Sequence, residues 1–411
     1  MTGTDALGFD RRRLARIDRH LARYVDDGRL AGWQLAITRH GTPAHLAAYG
    51  HRDREAGLPA DGDTLWRVFS MTKPIASVAA MTLWEEGAFE LTDPVSRWIP
   101  SFADVRVYDR GSVNDVVTVP ATEPIRVWHL LSHSSGLTTG FMNTTVVDAL
   151  YRRAGHAIGY PDGATLASVC DDFAALPLLF QPGTAWAYGV STDVLGRLIE
   201  IWSGETLDTA IAERVTGPLG MNDTVWYADE KRVDRLAALY GPDSLTGRAV
   251  PLTELGARVR TPPPVMSAGG GMLSTLSDYV RFTRMLAGGG ELDGVRVLSP
   301  RTLRLMTANH LSADLGALST GGFTQTNFDG IGFGLGFAVV MDPAKSHSVA
   351  SPGEYYWGGA AGTLFWIDPA EALTVVFMTQ LLPVRHAQLV PSGAYPIRAQ
   401  LRQLVYSSLV A

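Results

Sequence analysis

Residues 69–74 read FSMTKP and place Ser70 three positions before Lys73. The chain contains only three lysines, and neither of the other two has a serine three positions before it. Pro74 lacks a backbone N–H and is tolerated in the first turn of a helix, so the pattern predicts that Ser70 lies at a helix start. Residues three apart share one helix face, and the two side chains are therefore expected to meet.

A serine and a lysine at a helix N-terminus suit nucleophilic acyl transfer. A serine hydroxyl is a poor nucleophile and needs an adjacent base. A lysine is a base only when it is neutral, which desolvation and the positive end of a helix both favour. The tetrapeptide alone is a weak signal, because a capping serine and an exposed lysine would have the same spacing. The rarity of lysine and the apolar neighbours Val68, Phe69 and Ile75 favour a buried, functional pair.

The composition is that of a globular protein without a nucleic-acid surface. The 411 residues are 46% hydrophobic and carry a net charge of −6, which allows a sizeable core. Arginines are scattered, and the run from Arg11 to Arg13 is interpreted as the solvated start of a helix, so neither nucleic acid nor a membrane is an expected partner. No secretory signal or long apolar run is visible, which predicts a cytoplasmic location. The single cysteine, Cys170, excludes an intrachain disulfide and is interpreted as a core residue.

Hydrophobic periodicity predicts β structure near both ends of the chain. Two strands are expected around a Gly41-Thr42-Pro43 turn, and three more in GFGLGFAVVM, GTLFWID and ALTVVFMTQ. The predicted helices span Phe9 to Asp27, Ser70 to Glu86 with Gly87 as the stop, and Tyr395 to Leu409.

These elements predict an α/β fold of the α+β type. One central antiparallel sheet is expected to form from both chain ends and to be flanked by the two terminal helices, with a mostly helical second lobe between them in sequence. The predicted domains are residues 1–88 together with 288–411, and residues 89–287. The active site is expected in the cleft between the lobes.

Longer motifs resemble the serine–lysine hydrolases related to class C β-lactamases and penicillin-binding proteins. The similar segments are FSMTKPIASVAAMTLWEEGAFELTDPVSRWIP, IRVWHLLSHSSGL, QPGTAWAYGVSTDVLGRLIE, GPLGMNDT, SAGGGMLSTLSDYVRFTRML and YYWGGAAGTLFWIDP. Their order is that of the superfamily, and they cover most of the chain from Arg12 to Gln380. The β-lactamase-like carboxylesterases often called family VIII are the branch that the chain resembles most. The resemblance implies a β-lactamase-like fold.

The resemblance also implies catalytic roles. Ser70 matches the acylated nucleophile of the family, and Lys73 matches the lysine of the same motif. Tyr188 matches the tyrosine that works with the lysine as general base and later returns a proton to the leaving group. A tyrosine can do this if a neighbouring cation lowers the pKa of the phenol.

The third family motif is usually K-T-G, and Trp357-Gly358-Gly359 stands in its place. Glycines allow a strand backbone to approach the substrate closely. The resemblance implies that the backbone N–H groups of Ser70 and Ala360 form an oxyanion hole and that Trp357 lines the substrate pocket.

Two departures from the family pattern concern substrate recognition. Trp357 replaces a lysine that helps to hold a substrate carboxylate, and Val190 replaces an asparagine that contacts a substrate amide. A buried carboxylate without a partner is costly, so the pocket is expected to favour uncharged esters with an apolar acyl group. The predicted function is a serine carboxylesterase for short- to medium-chain acyl esters. The alternatives are an acyltransferase, an amide hydrolase or a weak β-lactamase on the same machinery, and a non-catalytic binding protein of this fold.

Other motifs point to no different chemistry. The nucleophile elbow G-x-S-x-G is absent. His129 and His133 have the spacing of a zinc-protease motif, but Leu130 stands where its glutamate would be, so they are interpreted as loop anchors and no metal is predicted. GIGFGLGF is interpreted as a strand next to the active site. No cofactor is implied, and the sequence leaves the oligomeric state open.

Overall fold

A computed structural model describes residues 7–161, 163–320, 328–385, 388–389 and 396–410. The helices are α1 Arg11–Asp26, α2 Thr72–Glu85, α3 Val127–Leu131, α4 Val146–Arg153, α5 Leu166–Ala175, α6 Ser191–Ser203, α7 Leu207–Ile211, α8 Thr253–Ala257, α9 Leu276–Ala287, α10 Pro300–Met306, α11 Leu315–Leu318 and α12 Ile397–Ser408. The strands are β1 Gly32–Arg39, β2 Thr42–Asp53, β3 Leu58–Pro59, β4 Trp66–Arg67, β5 Arg106–Ser112, β6 Asp115–Pro120, β7 Tyr240–Pro242, β8 Ala249–Pro251, β9 Leu273–Ser274, β10 Glu291–Leu292, β11 Val295–Arg296, β12 Ile331–Phe333, β13 Ala338–Val340, β14 Tyr355–Gly358, β15 Leu364–Asp368, β16 Leu373–Thr379, β17 Val384–Arg385 and β18 Gln388–Leu389.

An antiparallel sheet of eight strands lies at the centre, in the order β12-β13-β14-β15-β16-β1-β2-β3. The strand β1 pairs with β2 on one side and with β16 on the other, so that Ile37 lies opposite both His45 and Val375. Every residue of β1 and β16 is buried, because both faces of the sheet are covered at this point. The predicted antiparallel sheet from both chain ends, and with it the α+β fold class, is confirmed.

The terminal helices α1 and α12 pack against each other. The helix α1 buries an apolar stripe that includes Leu14, Ile17 and Leu21, at the spacing that predicted it. Asp10 caps this helix, since its carboxylate accepts hydrogen bonds from the backbone N–H groups of Arg12 and Arg13. The helix α12 is two residues shorter at its start than predicted, and Tyr395 lies outside the described residues.

The helix α2 is the central helix of the molecule. Its residues from Thr72 to Leu83 are all buried, and it contacts α6 and α7. The helix α9 packs against β1, β15 and β16 of the sheet. Gly87 has a φ of +79° just after α2, so it ends this helix as predicted. The region between α2 and α9 is a mixture of short helices and two-stranded ribbons, and the boundaries at residues 88 and 288 stay a prediction.

Two turns differ from the predicted ones. The hairpin between β1 and β2 turns at His40 and Gly41, which both have positive φ, whereas Thr42 already belongs to β2. GFGLGFAVVM is not one strand but the hairpin of β12 and β13, closed by a 2.8 Å hydrogen bond from Gly334 N–H to the Phe337 carbonyl. Gly336 has a φ of +103°, which favours glycine and permits this turn.

The described ranges contain no helix with the length and apolar character that a membrane crossing requires.

Candidate active site

Ser70 lies in a short 3₁₀ turn, Phe69–Met71, that leads directly into α2. Phe69 has a φ of +45°, a left-handed conformation that is uncommon for a residue other than glycine and that turns the chain sharply before Ser70. The turn is fixed by the Thr72 hydroxyl, which donates to the Phe69 carbonyl at 2.7 Å and accepts from the Met272 N–H at 3.1 Å. This local geometry places Ser70 at the wall of a large cavity.

Tyr188 is the direct partner of Ser70. Its hydroxyl Oη donates a 2.5 Å hydrogen bond to Ser70 Oγ. Tyr188 precedes α6, and the contact between α6 and α2 brings the phenol to the start of α2. The structure thus places the predicted nucleophile and the predicted tyrosine in contact.

Lys73 lies beneath the same phenol. Its ammonium nitrogen Nζ is 4.4 Å from the centroid of the Tyr188 ring and donates a 2.5 Å hydrogen bond to the Gly269 carbonyl. The side chain is only 5% exposed. Within the described residues, no hydrogen bond joins Lys73 directly to Ser70. The connection between them runs through Tyr188, and the Gly269 carbonyl is a partner that the sequence did not indicate.

The two histidines of HLLSH have different surroundings. His129 Nδ1 accepts a 3.0 Å hydrogen bond from the Arg126 N–H at the start of α3, which is an anchoring contact. His133 is fully buried, and its ring lies 5.1 Å from the Tyr188 ring. Burial and the nearby charge of Lys73 hold the pKa of His133 well below its ordinary value, so this imidazole is neutral. Sequence reasoning missed the contact of His133 with Tyr188. Among the described residues, no cluster of three or more candidate ligands could hold a metal ion.

Trp357 forms an apolar wall beside the tyrosine. It lies in β14, is buried, and its ring centroid is 5.6 Å from that of Tyr188 and 5.3 Å from that of Phe333. Val190, at the start of α6, also lines the cavity. Both positions at which the sequence departs from the β-lactamase pattern therefore present hydrocarbon to the cavity.

A tight turn follows Trp357 and brings Ala360 to the cavity wall. The turn is closed by hydrogen bonds from Gly359 N–H to the Thr363 carbonyl at 2.7 Å and from Gly362 N–H to the Gly359 carbonyl at 3.1 Å. A Cβ atom at Gly359 would overlap the Thr363 hydroxyl and the Val68 carbonyl, so glycine permits this close approach to the segment before Ser70. Ser70, Gly358, Gly359 and Ala360 all line the cavity.

The cavity has a volume of about 910 Å³, within the range of sites for small molecules. Its walls include aromatic and aliphatic side chains from the middle of the chain, namely Phe141, Ile158, Tyr160 and Phe173. Besides Lys73, the cavity wall contains Arg398 and Arg402 of α12. Their guanidinium carbons lie 5.3 and 5.0 Å from the centroid of the Tyr356 ring. A small ester could be enclosed here with its carbonyl against Ser70.

Comparisons with known proteins agree with this architecture. The sequence profile of the β-lactamase family matches residues 17–390. An uncharacterized protein of Mycobacterium tuberculosis is 38% identical over 362 residues, which are 87% of this chain and 88% of that protein. Esterase EstB of Burkholderia gladioli is 33% identical over 388 residues, 89% and 90% of the two chains. The solved structure of EstCE1, described as a hydrolase with promiscuous acyltransferase activity, superposes with a TM-score of 0.78 at 28% identity, covering 96% of this chain and 99% of its own.

The fold and the cavity define a β-lactamase-like serine hydrolase. The chain belongs to the β-lactamase family. The predicted resemblance to the β-lactamase and penicillin-binding-protein superfamily and the predicted enzyme class, a serine hydrolase, are thereby confirmed.

Proposed function

We propose that this enzyme is a carboxylesterase, of the kind called family VIII, that hydrolyses short- to medium-chain acyl esters through an acyl-enzyme on Ser70. The observation that carries the proposal is the 2.5 Å hydrogen bond between Tyr188 Oη and Ser70 Oγ, with Lys73 Nζ 4.4 Å from the same ring. A serine hydroxyl bonded to a phenol that lies next to a cation can be activated as a nucleophile, because the phenol takes the serine proton once it is ionised.

The first half of the reaction acylates the enzyme. Ser70 Oγ attacks the ester carbonyl carbon while its proton passes to the phenolate form of Tyr188, which the Lys73 ammonium stabilises and which becomes a neutral phenol. The carbonyl oxygen becomes an oxyanion and accepts hydrogen bonds from the N–H groups of Ser70 and Ala360. Such donors typically stabilise a transition state by about 3 kcal/mol each. The bond to the alcohol oxygen then breaks, and the alcohol leaves with the proton from Tyr188.

The second half returns the enzyme to its starting state. Tyr188 takes a proton from water, and the resulting hydroxide attacks the acyl carbon on Ser70. When the new intermediate collapses, Ser70 Oγ recovers its proton from Tyr188 and the carboxylic acid is released. Tyr188 thus acts once as base and once as acid in each half of the reaction.

The apolar wall supports neutral esters as substrates. Trp357 stands where a β-lactamase has a lysine, and Val190 where it has an asparagine, so these positions offer neither a positive charge to a carboxylate nor a side-chain amide to a substrate amide. Esterase activity in this protein would accord with the name of EstB, which is 33% identical.

Acyl transfer to an alcohol is the second candidate. The same acyl-enzyme can react with an alcohol in place of water, and EstCE1 is described as a hydrolase with this promiscuous activity. A cavity of about 910 Å³ leaves room for an acyl group and an acceptor alcohol. Product analysis with vinyl butyrate and a competing alcohol separates the two: butyrate alone indicates hydrolysis, and a new ester indicates transfer.

The proposal is tested with p-nitrophenyl butyrate and the variant Ser70→Ala. Removal of the nucleophile is expected to lower kcat by roughly 10³-fold or more. Intact-protein mass spectrometry of the wild type after exposure to a fluorophosphonate is expected to show one adduct, which peptide mapping places on Ser70. The matched control is Ser408→Ala, a buried serine of α12, which should leave turnover unchanged. Near-normal turnover by Ser70→Ala, or an adduct on another residue, would refute the assignment.

A further inference from the structure

A buried carboxylate lies behind the lysine, at a position that the sequence motifs did not single out. Asp193 is the third residue of α6 and is 4% exposed. Its Oδ1 accepts a 2.9 Å hydrogen bond from the Gly269 N–H and a 2.7 Å hydrogen bond from the Ser267 hydroxyl. Asp193 therefore fixes the backbone of the segment from Ser267 to Gly269.

This segment is the one that holds Lys73. The Gly269 carbonyl accepts the 2.5 Å hydrogen bond from Lys73 Nζ, while the N–H of the same residue binds Asp193. A Cβ atom at Gly269 would lie 2.6 Å from Asp193 Oδ2, so only glycine lets the carboxylate approach this closely. The amine and the carboxylate thus hold opposite sides of one residue.

The charges around the site leave Asp193 as the counter-charge of the amine. Within the described residues, Lys73 has no ion pair, and Asp193 is the one aspartate or glutamate of the cavity wall. Facing Lys73 are the phenol of Tyr188 and the neutral imidazole of His133. A buried ammonium without a nearby negative charge would be disfavoured.

The other groups near Asp193 are neutral or already paired. Tyr160 Oη donates to Ser267 Oγ at 3.3 Å, and burial together with the Asp193 charge raises the pKa of Tyr160 well above its ordinary value. The same two causes raise the pKa of Cys170 well above its ordinary value. On α6 itself, Arg197 pairs with Glu200 at 2.9 Å. Removal of the Asp193 charge would therefore act chiefly on Lys73 and on the phenol of Tyr188, which Lys73 contacts.

We propose that Asp193 is a positioning residue for Lys73: it orients the Gly269 carbonyl that binds the ammonium and supplies the negative charge that keeps this ammonium stable inside the cavity. The inference rests on the proposed esterase mechanism, in which the Lys73 ammonium stabilises the Tyr188 phenolate. The inference assigns the carboxylate of Asp193 a part in that proton transfer, which it exerts through Lys73 and not on the substrate.

Three variants separate the charge of Asp193 from its hydrogen bonds. Asp193→Asn keeps an oxygen that can accept from Gly269 and Ser267 but removes the charge. Without this negative charge, the pair of Lys73 and Tyr188 gives up its proton more readily than in the wild type. The acidic limb of the pH profile of kcat/KM for p-nitrophenyl butyrate is therefore expected to move about one pH unit lower. KM should be nearly unchanged. Asp193→Ala removes both the charge and the hydrogen-bond acceptor, and it is expected to lower kcat at least about tenfold across the whole pH range. Ser267→Ala keeps the charge and should leave the acidic limb in place.

The matched control is Asp148→Asn. Asp148 is also a buried carboxylate at the third position of a helix, α4, but it bonds Thr138 and Thr144 and does not line the cavity. This variant should leave the acidic limb unchanged. An unshifted limb in Asp193→Asn, or an equal shift in Asp148→Asn, would overturn the positioning role.

A second readout separates this proposal from the esterase proposal. The rate at which a fluorophosphonate labels Ser70 is measured against pH in the wild type and in Asp193→Asn, with thermal unfolding as a check that both are folded. A wild type that is not labelled at Ser70 refutes the esterase mechanism. A wild type that is labelled, with an identical pH profile in Asp193→Asn, refutes only the role of Asp193.

Discussion

Tyr188 Oη donates a 2.5 Å hydrogen bond to Ser70 Oγ although 118 residues separate them along the chain. Each residue lies just before a helix, Ser70 before α2 and Tyr188 before α6, and these two helices pack against each other. The contact between the two hydroxyls is therefore a consequence of how the two helix starts are aligned.

The hydroxyl of Tyr188 is expected to be essential for turnover. Tyr188→Phe keeps the ring against Trp357 and His133 but removes the proton acceptor, so kcat should fall by about 10²- to 10⁴-fold with KM within a few-fold. The measurement is a steady-state assay with p-nitrophenyl butyrate. Tyr108→Phe, which also loses a hydroxyl hydrogen bond but lies away from the cavity, is the control. Wild-type turnover by Tyr188→Phe would contradict the proposed proton transfer.

The wall at Trp357 is expected to set the preference for neutral esters. Trp357→Lys would place a second buried cation near the Tyr188 ring and remove apolar surface, so kcat/KM for p-nitrophenyl butyrate should fall at least about tenfold. Trp357→Phe keeps an aromatic wall and should stay within a few-fold of the wild type. Equal activity of the two variants would show that the polarity of this position does not decide substrate preference.

The close approach at Gly359 is expected to be sensitive to a single methyl group. In Gly359→Ala the new Cβ would overlap the Thr363 hydroxyl and the Val68 carbonyl, and overpacking of this kind costs about 1–3 kcal/mol. Urea unfolding gives the change in free energy of unfolding, and kcat should fall with it because the turn carries Ala360. Gly62→Ala is the matched control, since its Cβ would meet no atom within 4 Å. Equal stability of the two variants would argue against a packed contact at Gly359.

The free energy of unfolding is expected to fall on acidification because of His129. Burial and the charge of Arg126 lower the pKa of His129 to about 4 in the folded protein, whereas the ordinary value is about 6.5. Below about pH 6.5 the unfolded chain therefore binds a proton at His129 more readily than the folded protein does. The free energy of unfolding that this residue contributes above pH 6.5 is lost as the pH falls towards 4. The slope contributed by this residue is up to about 1.4 kcal/mol per pH unit.

The variant His129→Asn tests the origin of that slope. Its side-chain oxygen can accept the hydrogen bond from Arg126 N–H, but it does not titrate in this range. Urea unfolding between pH 4.5 and 7 should show a shallower loss of stability in the variant. His133, whose pKa is also lowered, is present in both proteins, so the difference isolates His129. Identical slopes would mean that His129 is not the group responsible.

Periodicity was sufficient for most of the elements that form the sheet and its flanking helices. The apolar spacing of Leu14, Ile17 and Leu21 predicted α1, and the β-branched run in ALTVVFMTQ predicted β16. Periodicity failed at GFGLGFAVVM, which it predicts as one strand although Gly334 and Gly336 lie in the turn between β12 and β13. A glycine has no side chain whose apolar or polar character could report which face or turn it occupies.

The sequence by itself determined which residues are candidates for the site: a serine at a helix start, a lysine one turn later, a tyrosine before another helix, and a tryptophan where the family pattern has a lysine. The serine and the lysine follow from residue type and local spacing, whereas the tyrosine and the tryptophan follow from the family resemblance. Only the tertiary structure decided that Tyr188 hydrogen-bonds to Ser70, and that Lys73 binds the carbonyl of Gly269, whose N–H donates to Asp193. A backbone carbonyl is the same in every residue, and residues nearly 200 positions apart meet only through the packing of whole helices, so no local pattern could show these contacts.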